Sequence, residues 1–369
     1  MEISKATTEE LKKRLAFLER EAKEYDVKQK AVKVIANALY GVSAAPFFSY
    51  YDPDLAEAIT LTGQYSLKLM RKATDEYLNN VLGTKGVQYV VYQDTDSGYI
   101  HVQELVNQKC KNMNDQEIVN FLEEFVESKL QPLYDEVFKD TLPEFGVEDC
   151  KLFYKLECIG PSAIWTAPKK YAFNILYSEG VRYETPKTKI MGIEIVRSST
   201  PTMVKPHLKK CIEIMLSGEE SDLQRYVIDV KKDFFNQPYW EISFPRGVNG
   251  LKTYSSSQTI YQKGNGVSTP IAVRGALLYN YHIEKNQIDN KYPPIGEGDK
   301  CKFVYIKKPN PIHENVIAFP SKIPKELGLE KYVDYNIQWE KTFLSPLDKL
   351  LTAVGWSAEP KNTAFDECW

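Results

Sequence analysis

The chain has 369 residues, of which 43% are hydrophobic and 26% charged, with a formal net charge of −3. That length spans two or three domains of about 100–200 residues each, and the balance excludes wholesale disorder. No apolar run approaches the roughly 20 residues of a membrane helix, and the polar opening MEISKATTEELKKR lacks the apolar stretch of a signal peptide.

Thr7 and Glu10 have the spacing of a capping box, so a helix is predicted to begin there. Leu11, Leu15, Leu18, Ala22 and Tyr25 then recur at 4-3-4-3 spacing and make one apolar stripe, with Lys, Arg and Glu on the other faces. The pattern continues through Val32 and Leu39 and stops at Gly41. Such a stripe predicts a partner helix, expected from outside this chain. Asp52 and Pro53 predict the cap and first position of a second helix. It runs through Leu55, Ile59, Leu69 and Tyr77, and Gly63 inside it costs about 1 kcal/mol relative to Ala. VQYVVY at 87–92, the polar QDTDS and then GYIHV predict a hairpin. Val119, Leu122, Val126 and Leu130 predict a helix over 116–140. From 151 onward KLFYKLECI, SAIWTA and KYAFNILY predict three strands. Two helices follow between 203 and 236, and the last third is mixed. The domain boundary is expected near Ser199–Pro206.

The six cysteines include no C-x-x-C pair and the four histidines stand apart, so neither a zinc site nor a disulfide framework is expected. The setting is predicted to be reducing and cytoplasmic. Charge is unevenly spread: residues 101–150 hold 12 acidic and 4 basic side chains, whereas 161–210 hold 9 basic and 3 acidic. An acidic segment followed by a basic one either builds an anion-binding face or is ordinary solvated surface.

Two short patterns bear on chemistry. Asp94 and Asp96, in Tyr92-Gln93-Asp94-Thr95-Asp96-Ser97, put two carboxylates at a hairpin tip. Hard cations such as Mg²⁺ take carboxylate and phosphate oxygens, and two-metal phosphoryl chemistry needs such carboxylates on a rigid element. Taken alone, the same residues read first as a plain β-turn. Lys33, Asn37 and Tyr40 share one helix face through i, i+4, i+7 spacing, just before Gly41. A lysine, an amide and a ring on one face suit a phosphate, a base or sugar edge and a base plane. Alone, they read first as an amphipathic helix ending at glycine.

Together, Lys-x-x-x-Asn-x-x-Tyr-Gly and, about 50 residues on, β-Asp-Thr-Asp-Ser-β resemble the fingers motif K-x-x-x-N-S-x-Y-G and the palm motif Y-G-D-T-D-S of family B DNA polymerases, in the same order and spacing. The intervening FFSYYDPDLAEAITLTGQ is similar to that family. Thr166-Ala167-Pro168-Lys169-Lys170-Tyr171-Ala172 resembles its K-K-R-Y-A segment. Lys189-Ile190-Met191-Gly192-Ile193-Glu194 and Ser198-Ser199-Thr200-Pro201 resemble the start of its thumb, and Val273-Arg274-Gly275 and Gly298-Asp299-Lys300 resemble later thumb segments. Within that family, the chain resembles the branch of the large tailed, T-even-like bacteriophages.

The resemblance implies an α+β fold: a palm with an antiparallel sheet and packed helices, one long fingers helix and a mixed, mostly helical thumb. It implies fingers at 1–41, palm at 42–198, thumb at 199–360 and a tail at 361–369. It implies template-directed DNA synthesis by two-metal nucleotidyl transfer with two Mg²⁺ ions, held by Asp96, Asp94 and Glu157. Lys33 would meet the incoming triphosphate, and Asn37, Tyr40 and Gly41 the nascent base pair. Lys169, Lys170, Tyr171, Arg246 and Arg274 would contact primer-template DNA. Ala364-Phe365-Asp366-Glu367-Cys368-Trp369 resembles a sliding-clamp tail anchored by Phe365 and Trp369. Gln93 replaces the family's usual Gly, and Ala38 its usual Ser. No D-x-x-S-L-Y-P-S palm motif and no D-x-E exonuclease motif occurs. The chain is therefore expected to be the C-terminal subunit of a split polymerase, acting in the cytoplasm of an infected host. Its N-terminal partner chain would supply the first palm aspartate and the exonuclease. The alternatives are a non-catalytic fragment that binds duplex DNA or tethers a clamp, and an unrelated metal-binding structural protein.

Overall fold

In the computed structural model, which describes residues 7–147, 150–193, 198–255 and 269–359, the first predicted helix forms as α1 (Thr8–Ser43). Its capping box closes in both directions: the Glu10 amide donates to Thr7 Oγ1 at 3.4 Å and the Thr7 amide to Glu10 Oε2 at 2.8 Å. These bonds from Thr7 hold the Glu10 carboxyl below its ordinary range. Glu9–Lys13, Arg20–Glu24 and Asp26–Lys30 pair along the surface at i,i+4 spacing. The helix does not stop at Gly41. That glycine keeps a negative φ, unlike a terminating one, and the last turn is closed by the Ser43 hydroxyl on the Tyr40 carbonyl at 2.7 Å. Leu11, Leu15, Leu18, Tyr25 and Leu39 are all exposed, so the apolar stripe lies open.

The fold divides into two units, one up to Leu156 and one from Glu157. In the first, α2 (Pro53–Leu82) starts where the Leu55 amide donates to Asp52 Oδ1 at 3.0 Å, and ends at the left-handed Gly83. Then come β1 (Val90–Asp94), β2 (Ser97–Ile100), α3 (Gln103–Lys109), α4 (Asp115–Phe125) and α5 (Gln131–Thr141). The predicted helix over 116–140 is α4 and α5 joined through one π-helical turn, Val126–Leu130. Pro132 has no N–H to give the Ser128 carbonyl and its ring crowds that oxygen, so the extra residue is taken up just before it. The core joins Leu67 and Met70 of α2 to Leu130, Tyr134 and Phe138. Thr74 Oγ1 lies 2.8 Å from Tyr134 OH, and burial pushes that phenol up to about 12.

KLFYKLE, expected as a strand, is not one. Tyr154 stacks on Phe138 at 6.0 Å and meets Tyr134 edge-on at 5.7 Å, while Gln131 Nε2 donates to the Tyr154 carbonyl. Side chains of α5 take this backbone in place of a ladder.

The second unit begins with β3 (Cys158–Ile159), β4 (Ser162–Ala167), β5 (Lys170–Ser178) and β6 (Val181–Met191). All pairings are antiparallel. β4 and β3 lie in succession along one edge of β5, and β6 along the other. Helices α6 (Val204–Ser217) and α7 (Glu220–Asn236) follow as expected, and Ala172 and Ile193 share a core with Val204, Leu208 and Cys211. This core runs straight through the expected boundary at Ser199–Pro206. Further on lie β7 (Phe244–Gly247), α8 (Leu251–Ser255), α9 (Ile271–Lys285), β8 (Lys300–Tyr305), β9 (Val316–Phe319), α10 (Tyr335–Trp339) and α11 (Ser345–Leu351). β7, β8 and β9 form an antiparallel sheet. α9 packs against β9 so closely that a Cβ on Gly275 would stand 2.9 Å from the Ala318 nitrogen. The whole is an α+β chain, as expected.

Candidate catalytic hairpin and nucleic-acid face

β1 and β2 pair from Val90–Ile100 to Asp94–Ser97, which leaves Thr95 and Asp96 as a two-residue turn. Thr95 sits at φ 54°, a region rarely taken by a β-branched residue. The turn is closed by local bonds: the Asp96 amide to the Asp94 carbonyl at 2.6 Å, Thr95 Oγ1 to Asp94 Oδ1 at 3.0 Å, and Ser97 Oγ to the Asp94 carbonyl at 3.2 Å. Asp94 is half-buried and Asp96 exposed. The hairpin is fastened to α2 at its base, where Asp75 Oδ1 accepts from the Tyr89 and Val90 amides at 2.7 and 3.0 Å.

Gln93 explains itself here. Its Nε2 donates to the Leu67 carbonyl of α2 at 2.8 Å, and its cross-strand neighbour is Gly98. A Cβ on Gly98 would meet the Met70 methyl at 2.5 Å. The long residue thus stands opposite one with no side chain. Beside β1, Arg71, Gln88 and Val90 to Gln93 line an open groove of about 500 Å³. Two exposed-to-half-buried carboxylates on a fastened turn suit a hard cation. Among the described residues, no group of three or more His, Cys, Asp or Glu side chains is placed to hold one. Glu157 stands at the start of the second unit, its carbonyl accepting from the Glu179 amide at 2.9 Å.

Lys33, Asn37 and Tyr40 lie along one exposed face of α1, and Gly41 has open space where a Cβ would be.

In the second unit, Ala167 pairs with Lys170, so Pro168 and Lys169 form a two-residue turn with Lys169 at φ 64°. Cross-strand partners share a face. Tyr171 therefore shares one with Trp165 and Met191, Phe173 with Lys189, and Ile175 with Lys187. Trp165 and Tyr171 are 6.1 Å apart. Lys187, Lys189 and Met191 are exposed. The result is a surface of lysines beside Tyr171 and Trp165, with the Lys169 turn at its end, while Lys170, one residue before Tyr171, takes the opposite face with Ala172. Lys187 and Lys189 were not among the expected site residues, although the alternation in KTKIM carried the signal.

A profile for DNA polymerase family B matches residues 5–142. The chain is 32% identical over 349 residues to the DNA-directed DNA polymerase of Escherichia phage RB69, covering 90% of this chain and 38% of that one. It is 29% identical over 346 residues to that of Enterobacteria phage T4, covering 89% and 37%, and 25% identical over 218 residues to DNA polymerase 1 of Saccharolobus solfataricus, covering 58% and 19%. The chain belongs to DNA polymerase family B. It spans less than two fifths of the length of the phage relatives it matches.

The remaining positions taken from the family B pattern divide. Arg246, exposed on β7, lines a cleft of about 180 Å³ with Lys341, Lys349, Ser199, Thr200 and Ser345. Three cations and three hydroxyls suit a phosphate; Lys341 and Lys349 were missed because they lie about a hundred residues away in sequence. Arg274 is turned inward: Nη2 donates to Asn315 Oδ1 at 2.7 Å and Nη1 lies 3.7 Å from Glu314 Oε2. Phe365 and Trp369 lie outside the described residues. Among those residues, no helix is long and apolar enough to cross a membrane.

Proposed function

We propose that this chain carries part of the active site of a phage replicative DNA polymerase and works by template-directed, two-metal nucleotidyl transfer. The supporting observation is the exposed Asp94–Asp96 turn, fastened to α2, in a chain so similar to the RB69 and T4 enzymes. In the reaction the primer 3′-OH attacks the α-phosphate of a dNTP, an O–P bond forms, and pyrophosphate leaves. Bound Mg²⁺ would neutralise charge at the phosphates and favour the attacking alkoxide. Asp96 and Asp94 would be its donors in this chain; Glu157 is a ligand only as the family resemblance implies. Lys33 binds the triphosphate where negative charge grows on the leaving group. Asn37, Tyr40 and Gly41 flank the nascent base pair. Lys169, Lys170, Tyr171, Lys187 and Lys189 track the duplex backbone, and Arg246, Lys341 and Lys349 take a further phosphate. Such contacts position DNA without reading sequence.

The family divisions (fingers to 41, palm to 198, thumb to 360, clamp-binding tail beyond) stand as part of this reading. So does an N-terminal polymerase chain. The open stripe of α1 supports a complementary segment, which by the family resemblance would bring the first palm aspartate. The setting is the cytoplasm of the infected host. Primer extension with Mg²⁺ tests the reading. The chain alone is expected to give none, its mixture with an N-terminal polymerase segment is expected to extend the primer, and Asp96→Ala is expected to abolish that extension while duplex binding persists. Binding unchanged and extension absent in every mixture would instead favour a DNA-binding fragment without catalysis.

A further inference from the structure

Gly192 follows β6 directly. It takes φ 64°, and the Ile193 amide closes back on the Met191 carbonyl at 2.8 Å, so the chain turns sharply and buries Ile193 in the core of α6. Two separate constraints make this position a glycine. One is the left-handed φ. The other is contact across the sheet. A Cβ at 192 would fall inside the van der Waals envelope of the Lys169 carbonyl oxygen, 3.0 Å from its carbonyl carbon and 3.4 Å from Lys170 Cγ. The tip of the β4–β5 hairpin therefore rests on Gly192.

The tip has little freedom to move elsewhere. Ala167 and Lys170 are paired on one side of it, and Tyr171 is paired to Met191 on the other. A side chain at 192 has to displace the Lys169 carbonyl, and the displacement concentrates in the two turn residues. Lys169 already holds a conformation that residues with a Cβ seldom take. We propose that Gly192 is a positioning residue for duplex binding: it seats the Lys169 carbonyl and so sets the turn that carries Lys169 at the end of the face shared by Tyr171, Lys189 and Lys187. This rests on the reading of Lys169 and Lys170 as phosphate contacts.

The test is the salt dependence of binding of the full chain to a fluorescent primer-template duplex, followed by anisotropy. Lys169→Ala is expected to reduce the slope of log affinity against log salt by about 1. Gly192→Ala is expected to reduce it by a similar amount, and to add nothing when combined with Lys169→Ala. Pro168→Gly loosens the same turn without adding atoms, and is expected to reproduce the loss even if Gly192→Ala folds poorly. If Lys169→Ala lowers the slope but Gly192→Ala and Pro168→Gly do not, the positioning role is wrong. Effects of Gly192→Ala that add in full to those of Lys169→Ala also overturn it. An unchanged slope in Lys169→Ala overturns the phosphate-contact reading itself, and the positioning role with it.

Discussion

Gln93 reaches from β1 to the Leu67 carbonyl, and this bond fixes the Asp94–Asp96 turn to a helix that already carries the base of the hairpin. Replacing it by the family's usual residue, Gln93→Gly, removes that hydrogen bond and adds backbone freedom in a strand. The expected loss is about 1–2 kcal/mol, read as a lower urea midpoint in the transition of the first unit. An unchanged midpoint would mean that the turn holds itself. Residue chemistry at this site was legible where it was local. The spacing of Asp94 and Asp96 and the helical phase of Lys33, Asn37 and Tyr40 both appear in the structure as read. Gln93 looked only like a bulky departure, because its tolerance depends on Gly98 across the ladder and on Leu67, 26 positions earlier. The pairing of Arg274 was not legible for a similar reason: its partners Glu314 and Asn315 arrive from another segment.

At the scale of elements, capped helices were the readable part. Thr7 with Glu10, and Asp52 with Pro53, state their own starting points. The strands were less readable. β6 hid behind Pro186 and a run of charges, because both its exposed face and its turn are polar. Residues 151–156 had strand-like composition, yet their backbone was claimed by α5. The stripe on α1 lies exposed among the described residues, and its exposure yields a prediction. Changing Leu11 and Leu18 together to Lys should leave the main thermal transition in place, since neither side chain is part of a core. The same pair should weaken association with an N-terminal polymerase segment at least 10-fold, measured by sedimentation or calorimetric titration, as expected for removing two apolar contacts worth about 1 kcal/mol or more each. Unaltered association would move the interface elsewhere.

The whole molecule has separate cores in its two units, so heating is expected to give two calorimetric transitions. The later chain segment carries a pH dependence of its own. His282 is buried on α9, and burial, with Lys285 nearby, pushes its pKa below the ordinary 6.5. The folded imidazole stays neutral while the unfolded one takes up a proton near pH 6.5. Stability is therefore full above that value and falls as pH drops below it. The melting temperature of the second unit should decline from about pH 6.5 downward, and His282→Leu should flatten that decline. The lysine face has a practical consequence as well. With an isoelectric point of about 6.0, the chain carries net negative charge in neutral buffer and ought to pass through a sulfated resin. Lys169, Lys187 and Lys189 instead sit together at one end of the sheet, so retention on heparin is expected, with elution at raised salt.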